Sequence, residues 1–226
     1  PESRLAEKLE DWEKQLPKHI KLAYLPTLAQ VKLRLTATGT DIQKLKAEAE
    51  AEIQKLLPLI DKYVFATENI ELEARVGELL REQHKTIACA ESCTGGYISH
   101  LITSVPGSSD YFLGSIIPYS YEMKESALGV KNETLNTYGA VSEETITEMA
   151  ENVCRLTGAS IGVATSGIAG PGGATPDKPV GTIWIAVSDA NGTEAKKYIF
   201  MKERKINIQL GAIAALNMVR SRLVEE

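Results

Sequence analysis

Residues 86–96 read Thr-Ile-Ala-Cys-Ala-Glu-Ser-Cys-Thr-Gly-Gly, and this stretch decides the fold. A strand-like apolar run stops at Glu91, the hydroxyl of Ser92 follows, and a helical pattern begins behind the two glycines. A serine at the turn from a strand to a helix is well placed to act as a nucleophile, and the helix start offers N–H groups to an anion. The same pattern is typical of a helix cap, in which Ser92 or Thr94 merely accepts a backbone hydrogen bond.

Helical and strand-like patterns alternate outward from this turn, from about residue 68 to the end of the chain. The predicted helices cover 70–80, 94–104, 119–128, 142–156 and 205–224, and the predicted strands cover 86–90, 111–118, 160–165, 180–188 and 194–201. The last two strands are joined by Asp189-Ala190-Asn191-Gly192, whose Asn-Gly pair indicates a hairpin. We therefore expect an α/β fold, a three-layer α/β/α sandwich whose sheet is mixed.

Residues 1–66 carry a different pattern. A helix with Leu5, Leu9, Trp12 and Leu16 on one face precedes two strands, at 18–25 and 31–35, the second of which alternates apolar and basic residues. Asp41 should cap a long helix that Pro58 kinks or ends. The apolar residues of this helix are Ile42, Leu45, Ala49, Ile53 and Leu57. The chain thus divides into a small α+β module at 1–66 and a larger domain at 69–226.

The composition excludes several classes of protein. The chain has 226 residues, 43% of them hydrophobic, and a formal net charge of −5, which argues against a dedicated nucleic-acid binder. Lys32 and Arg34 lie on one strand face that could touch RNA, but Glu48, Glu50 and Glu52 nearby favour a solvated face. Because the chain begins at Pro1 rather than Met, we expect a fragment of a longer protein.

The sequence also gives no reason to expect a membrane span, a signal peptide or a metal site. It has no long apolar run. Its three cysteines are few and odd in number, so we expect no disulfide framework, which favours the cytoplasm. The three histidines form no ligand cluster with Cys89 and Cys93. We expect neither a metal nor another cofactor.

Polar stretches, two of them marked by glycines, follow four of the predicted strands. They cover 91–96, 119–124, 166–173 and 202–204. Open α/β sheets bind ligands outside the carboxyl ends of their strands, so all four could converge on one crevice.

Ser92 has no evident histidine partner in this crevice. His100 lies two turns into the following helix, and His84 lies at the opposite end of the strand. A desolvated lysine can also activate a serine, which makes Lys124, with Tyr119, the natural candidate. Alternatively, Lys124 is a surface lysine. Cys93 is a rival nucleophile, although a small buried residue is the simpler interpretation.

The stretch Ser166-Gly-Ile-Ala-Gly-Pro-Gly-Gly is unusually rich in glycine. Glycines let backbone N–H groups approach a phosphate or an oxyanion closely, but the stretch matches neither a P-loop nor the dinucleotide fingerprint. An ordered connecting loop is the alternative. Arg204 could clamp a ligand phosphate, or it could be an exposed arginine at a helix start.

Taken together, these motifs resemble the CinA (competence/damage-inducible protein A) family. The resemblance to its C-terminal domain covers about 69–224, and residues 1–66, with Tyr24-Leu25-Pro26, look like its middle, KH-like domain. The family's N-terminal domain is absent from this sequence. The stretches that carry the resemblance are 90–96, Pro106-Gly107-Ser108-Ser109, 119–124, Gly139-Ala140-Val141-Ser142, 166–171 and Lys178-Pro179-Val180-Gly181-Thr182.

The resemblance implies hydrolysis of nicotinamide mononucleotide to nicotinate mononucleotide and ammonia, without a metal, by a protein expected to be a homodimer. Ser92 looks like the nucleophile, and Lys124, helped by Tyr119, like its proton acceptor. The residues expected to bind the substrate are Thr94, Gly95, Gly96, Ser166, Gly167 and Arg204. Ile208 stands near a position where the family commonly has an arginine, which puts one ligand contact in doubt. The alternative function is a nucleotide-binding regulatory module without catalysis.

Overall fold

The computed structural model of the protein describes residues 2–224, which form two compact units that divide between Thr67 and Glu68. In the first unit, α1 (Glu2–Lys14) precedes two strands, β1 (Ile20–Pro26) and β2 (Val31–Ala37), which pair antiparallel. Helix α2 (Ile42–Ile60) and a short 3-10 turn at 61–63 complete it. Leu9 and Trp12 of α1 form the core with Leu56 and Ile60 of α2. The predicted small α+β module is confirmed.

Helix α2 begins as predicted, because the Asp41 carboxylate accepts hydrogen bonds from the amides of Gln43 and Lys44. It continues past Pro58 and ends two residues later, at Ile60. Ile42, at the start of this helix, is 68% exposed. The buried positions are Glu52, Leu56 and Ile60. Tertiary packing against α1 selects the face, and a helix with apolar residues on two sides does not reveal that choice.

The second unit carries five strands and six α-helices in residues 68–224. In chain order these are α3 (Leu72–Glu82), β3 (Ile87–Glu91), α4 (Tyr97–Thr103), β4 (Phe112–Ile116), α5 (Tyr121–Ser126), α6 (Asn132–Tyr138), α7 (Glu143–Thr157), β5 (Ile161–Gly167), β6 (Thr182–Asp189), β7 (Gly192–Ile199) and α8 (Arg204–Val224).

The strands form one mixed sheet in the order β4-β3-β5-β6-β7. Strand β3 pairs parallel with β4 and β5, whereas β5–β6 and β6–β7 are antiparallel. Helix α7 packs on the face that presents Ala88, Ala90, Ala164 and Ala186, while α4 and α8 cover the other face. The predicted sandwich with a mixed sheet is confirmed. All five residues of β3 are buried, so the residue that follows this strand emerges from the middle of the sheet.

Two local features differ from the sequence prediction, and one agrees with it. Helix α6 was not predicted, because seven residues that bury only Thr134 and Leu135 give no helical period. Helix α4 begins at Tyr97, not at Thr94, since Gly96 precedes it in a left-handed conformation. In the hairpin, Asp189 pairs with Gly192, so the predicted turn is correct. Within residues 2–224, no helix combines the length and apolar character needed to cross a membrane.

Candidate active site

Ser92 follows the interior strand β3, in a turn that neighbouring residues hold in place. Its amide donates to the carbonyl of Thr165 on β5 at 2.9 Å. The hydroxyls of Thr94 and Thr165 share a buried hydrogen bond of 2.7 Å. Gly95 and Gly96 then take positive φ angles of 60° and 98°, which side-chain-bearing residues adopt at a cost, and the chain enters α4. The turn around Ser92 is therefore fixed on the sheet as well as along the chain.

Lys124 reaches Ser92 from the short helix α5. Its Nζ lies 2.9 Å from Ser92 Oγ and donates to the carbonyl oxygens of Pro118 at 2.7 Å and Tyr119 at 3.4 Å. Lys124 is the buried residue of α5, only 1% exposed, and α5 begins where Ser120 Oγ accepts from the amide of Met123. The two side chains thus come together from sites 32 residues apart in sequence.

Burial changes the chemistry of this lysine. Desolvation lowers the pKa of Lys124 to about 8, because an ammonium group loses its hydration here. At that pKa about a tenth of the lysine is neutral at pH 7, against well under a thousandth for an ordinary lysine. In the neutral amine, two N–H bonds can serve the two carbonyls and the lone pair can point to Ser92 Oγ. The pair has the geometry of a nucleophile and its base.

Cys93 follows Ser92 in the same turn, but its thiol is poorly suited to attack. The side chain is buried, and desolvation raises its pKa to about 12, although the nearby Lys124 charge acts in the opposite direction. Since the thiolate is the reactive form, Cys93 stays protonated and weakly nucleophilic near neutral pH.

The Tyr119 hydroxyl is paired with Arg204. Tyr119 is 60% exposed, and its hydroxyl accepts a hydrogen bond from Arg204 Nη2 at 2.9 Å. Arg204 Nη1 donates to the carbonyl of Gly170 at 3.0 Å, so the guanidinium joins the Tyr119 loop to the glycine-rich loop. The Tyr119 carbonyl is the group that accepts from Lys124, and the expected help of the phenol in proton transfer stays a prediction.

Ser166 uses its hydroxyl to hold the segment that follows α6. The buried Oγ donates to the carbonyl of Ala140 at 2.6 Å, and the Ala140 amide donates to Tyr121 Oη at 3.1 Å. Hydrogen bonds thereby fix both the carbonyl and the amide of Ala140. Tyr121, Ala140 and Val141 line an open cavity beside Ser92. None of the three had a predicted role, although all of them stand within stretches that carry the family resemblance.

One open cavity collects most of the residues that the sequence singled out. It is lined by Ser92, Cys93, Tyr119, Tyr121, Lys124, Ala140, Val141, Ser166, Gly167, Ala169 and Arg204. Thr94, Gly95 and Gly96 are not among the lining residues. Their role in substrate binding stays a prediction. Within residues 2–224, no three His, Cys, Asp or Glu side chains are grouped as a metal site would require.

The expectation that the start of α4 offers free N–H groups is wrong. The Glu91 carboxylate accepts from the amides of Gly96 at 3.1 Å, Ile98 at 2.9 Å and Ser99 at 2.9 Å. The amide of Tyr97 donates to the carbonyl of Thr94. Because a carboxylate of the protein already neutralises this helix end, an anionic ligand group has no donors left there.

Comparison with known proteins places this geometry in a family. The family model described as the CinA C-terminal domain matches residues 69–223, and the model of the KH domain of damage-inducible protein CinA matches 1–66. The chain belongs to the CinA family. It is 50% identical to a CinA-like protein of Cytophaga hutchinsonii and 42% identical to one of Salinibacter ruber, covering 99% and 98% of this chain and 54% of each relative. It thus spans about half the length of these curated relatives.

Solved CinA-family structures share the fold of the second unit. A CinA superfamily protein from Klebsiella pneumoniae, 29% identical, covers 69% of this chain and 97% of its own, with a TM-score of 0.67. A competence/damage-inducible protein from Agrobacterium tumefaciens is 31% identical, covers 69% of this chain and 98% of its own, and gives a TM-score of 0.62.

Asn207 supports this cavity from behind its lining residues, and the sequence did not reveal it. It is fully buried near the start of α8, where Nδ2 donates to the carbonyls of Ala169 and Met201, both at 3.0 Å. Its Oδ1 accepts from the amide of Met201 at 2.9 Å. Asn207 thereby fixes the helix start that carries Arg204. The next residue, Ile208, is half-buried and supplies no cationic group at the position where an arginine was expected.

Proposed function

We propose that the second unit hydrolyses the carboxamide of nicotinamide mononucleotide, giving nicotinate mononucleotide and ammonia. The observation that carries the proposal is the contact between Lys124 Nζ and Ser92 Oγ, at 2.9 Å, in a cavity where burial lowers the lysine pKa to about 8. An amide carbonyl needs a strong nucleophile, and a serine becomes one when a neighbouring base takes its proton.

In the first half of the reaction, neutral Lys124 removes the Oγ proton as Ser92 attacks the carboxamide carbon. The tetrahedral intermediate then expels the amine, which takes the proton from Lys124 and leaves as ammonia. An ester between Ser92 and the nicotinoyl group remains. In the second half, water attacks the ester with Lys124 again as the base, Ser92 recovers its proton, and the carboxylate product departs.

The negative charge on the tetrahedral oxygen requires hydrogen-bond donors. The start of α4 cannot supply them, since Glu91 engages those amides. The amide of Cys93, the residue after the nucleophile, pairs with no acceptor of another residue in the described chain. We assign it to the oxyanion hole, the role that the same position has in serine hydrolases with a strand-turn-helix nucleophile. One such donor is typically worth about 10²–10³ in rate.

Arg204 is the group we assign to the substrate phosphate. It is exposed at the rim of the cavity, and hydrogen bonds to the Gly170 carbonyl and the Tyr119 hydroxyl orient its guanidinium. A guanidinium presents paired N–H donors that match a phosphate, and its hydrogen bonds to neutral acceptors leave its charge uncompensated. The glycine-rich residues beside it allow the ligand to approach the backbone closely.

The proposal is tested by incubating the protein with nicotinamide mononucleotide and measuring ammonia and nicotinate mononucleotide together. Equal amounts of the two products, formed over many turnovers, support the amidase. Calorimetric binding of the nucleotide without release of ammonia supports the alternative, a nucleotide-binding module. A protein that neither forms the products nor binds the nucleotide would contradict both proposals.

A further inference from the structure

We propose that Glu91 is a positioning residue for Ser92, which it holds in the geometry that Lys124 can use. This inference rests on the proposed function, because it assigns to Glu91 a role in the reactivity of the nucleophile. It arises from a buried carboxylate that the reaction itself does not use.

Glu91 is the last residue of β3 and is fully buried. Its Oε2 accepts from the amides of Gly96 and Ile98, and its Oε1 accepts from the amide and the hydroxyl of Ser99, the latter at 2.6 Å. Four donors therefore satisfy one carboxylate. A buried charge costs free energy unless it is paired or fully hydrogen-bonded, and these contacts meet that condition.

The contacts close a ring around the nucleophile. The Glu91 side chain bonds to Gly96, and the backbone between them consists of the four residues 92–95. The strand end and the helix start are thus tied across the turn that carries Ser92. Thr165 anchors the same turn from β5 through its carbonyl and its hydroxyl. If the Glu91 link is lost, the turn keeps its sheet anchor but not its connection to α4.

A loss of this link should act on catalysis more than on binding. A shift of about 1 Å in a reacting atom can cost about 10²-fold in rate. The groups that we assign to the phosphate, at Arg204 and the glycine-rich loop, lie on other elements and do not depend on Glu91. The expected signature of a positioning role is therefore a lower kcat with little change in KM. General unfolding would instead lower the amount of active protein, and the protein that stays folded would keep the wild-type kcat and KM.

The experiment compares a graded series of variants. Ser99→Ala removes one of the four hydrogen bonds, and Glu91→Gln replaces one acceptor oxygen by a donor and so removes two. Ser104→Ala is the matched control, since it removes a hydroxyl hydrogen bond to Leu101 at the far end of the same helix. We expect kcat to fall about threefold in Ser99→Ala and about 10–100-fold in Glu91→Gln, and to stay unchanged in Ser104→Ala.

A second readout does not need the natural substrate. Diisopropyl fluorophosphate labels an activated serine: the Ser92 Oγ–P bond forms, the P–F bond breaks, fluoride leaves and Lys124 takes the proton. Intact-mass spectra give the labelling rate, and Glu91→Gln should slow it by the same factor as kcat. If Glu91→Gln does not fold, Ser99→Ala must still slow labelling for the proposal to stand.

The outcomes separate the two proposals. A folded Glu91→Gln variant with wild-type kcat and labelling rate would overturn the positioning role while leaving the amidase intact, and so would a variant in which only KM changes. A wild-type protein that labels at Ser92 but releases no ammonia would overturn the proposed function, and the labelling rates would still decide the role of Glu91. A wild-type protein that neither labels nor turns over would overturn both.

Discussion

The Nζ of Lys124 lies 2.9 Å from the Oγ of Ser92, although the two residues stand on different elements of the fold. Ser92 follows the interior strand β3, and Lys124 lies on a short helix after the edge strand β4. The sheet order β4-β3 makes these two loops neighbours. Parallel pairing places both at the same sheet edge, which is how two distant sequence stretches come to form one site.

Activity should depend on the neutral form of Lys124. Because burial lowers its pKa to about 8, kcat/KM should rise with pH and level off above about pH 8. Lys124→Arg keeps the positive charge but cannot lose its proton, so it should be inactive at every pH in the range. Initial rates between pH 6 and pH 9.5 test this. A wild-type profile that is flat, or that falls across this range, would argue against Lys124 as the base.

The same lysine should reduce the stability of the protein near neutral pH. Its pKa is about 8 in the folded state against an ordinary value of 10.5, so the unfolded chain binds more protons between these values. Lys124 burial therefore costs about 3 kcal/mol below pH 8, and the cost disappears as pH rises toward 10.5. Lys124→Met removes this cost.

Denaturant unfolding of wild type and Lys124→Met at pH 7 and pH 10 measures the effect. The free energy of unfolding of the variant, relative to wild type, should be higher at pH 7 than at pH 10 by roughly 2–3 kcal/mol. Using the difference between two proteins removes the titration of groups that they share. An identical difference at the two pH values would show that Lys124 is not desolvated in the folded protein.

Cys93 should be dispensable for the chemistry. Burial raises the pKa of its thiol to about 12, so Cys93→Ala should keep a kcat close to that of wild type. Iodoacetamide at neutral pH should leave wild-type activity unchanged for the same reason. Loss of activity in a well-folded Cys93→Ala variant, with Ser92→Ala still active, would reverse the assignment of the nucleophile.

Arg204 should act on substrate affinity. Arg204→Met should raise KM about tenfold, through loss of a charge-assisted contact with the phosphate, and leave kcat nearly unchanged. Tyr119→Phe removes only the hydroxyl that accepts from Arg204, so its smaller effect should largely vanish in the Arg204→Met background. Lys202→Met is the control, since this exposed cation does not line the cavity. Equal effects of Arg204→Met and Lys202→Met would point to a general attraction of the anion.

Local pattern was sufficient to predict most of the fold of each unit. The apolar run into Glu91, the cap at Asp41 and the Asn191-Gly192 turn all act through neighbouring residues, so the sequence exposes them. The buried face of α2 was not predictable in the same way, because packing against Leu9 and Trp12 decides it. Helix α6 is too short to show a period.

In the site, too, local pattern predicted some residues, and tertiary contacts decided the others. Strand-end positions brought Ser92 and Lys124 together as candidates, and the structure places them in contact. The acceptor of the α4 amides could not be predicted. The same sequence pattern fits a helix whose first amides are unpaired and a helix whose first amides donate to the Glu91 side chain. The role of Asn207 was not predicted, because its side chain donates to the backbone carbonyls of Ala169 and Met201, and no sequence motif indicates such contacts.

The most direct test of the central claim is ammonia release from nicotinamide mononucleotide by wild type and by Ser92→Ala. The account predicts steady release by wild type, and a kcat for Ser92→Ala lower by at least about three orders of magnitude, with nucleotide binding retained. A Ser92→Ala variant that releases ammonia at the wild-type rate would contradict the claim that Ser92, activated by Lys124, is the nucleophile.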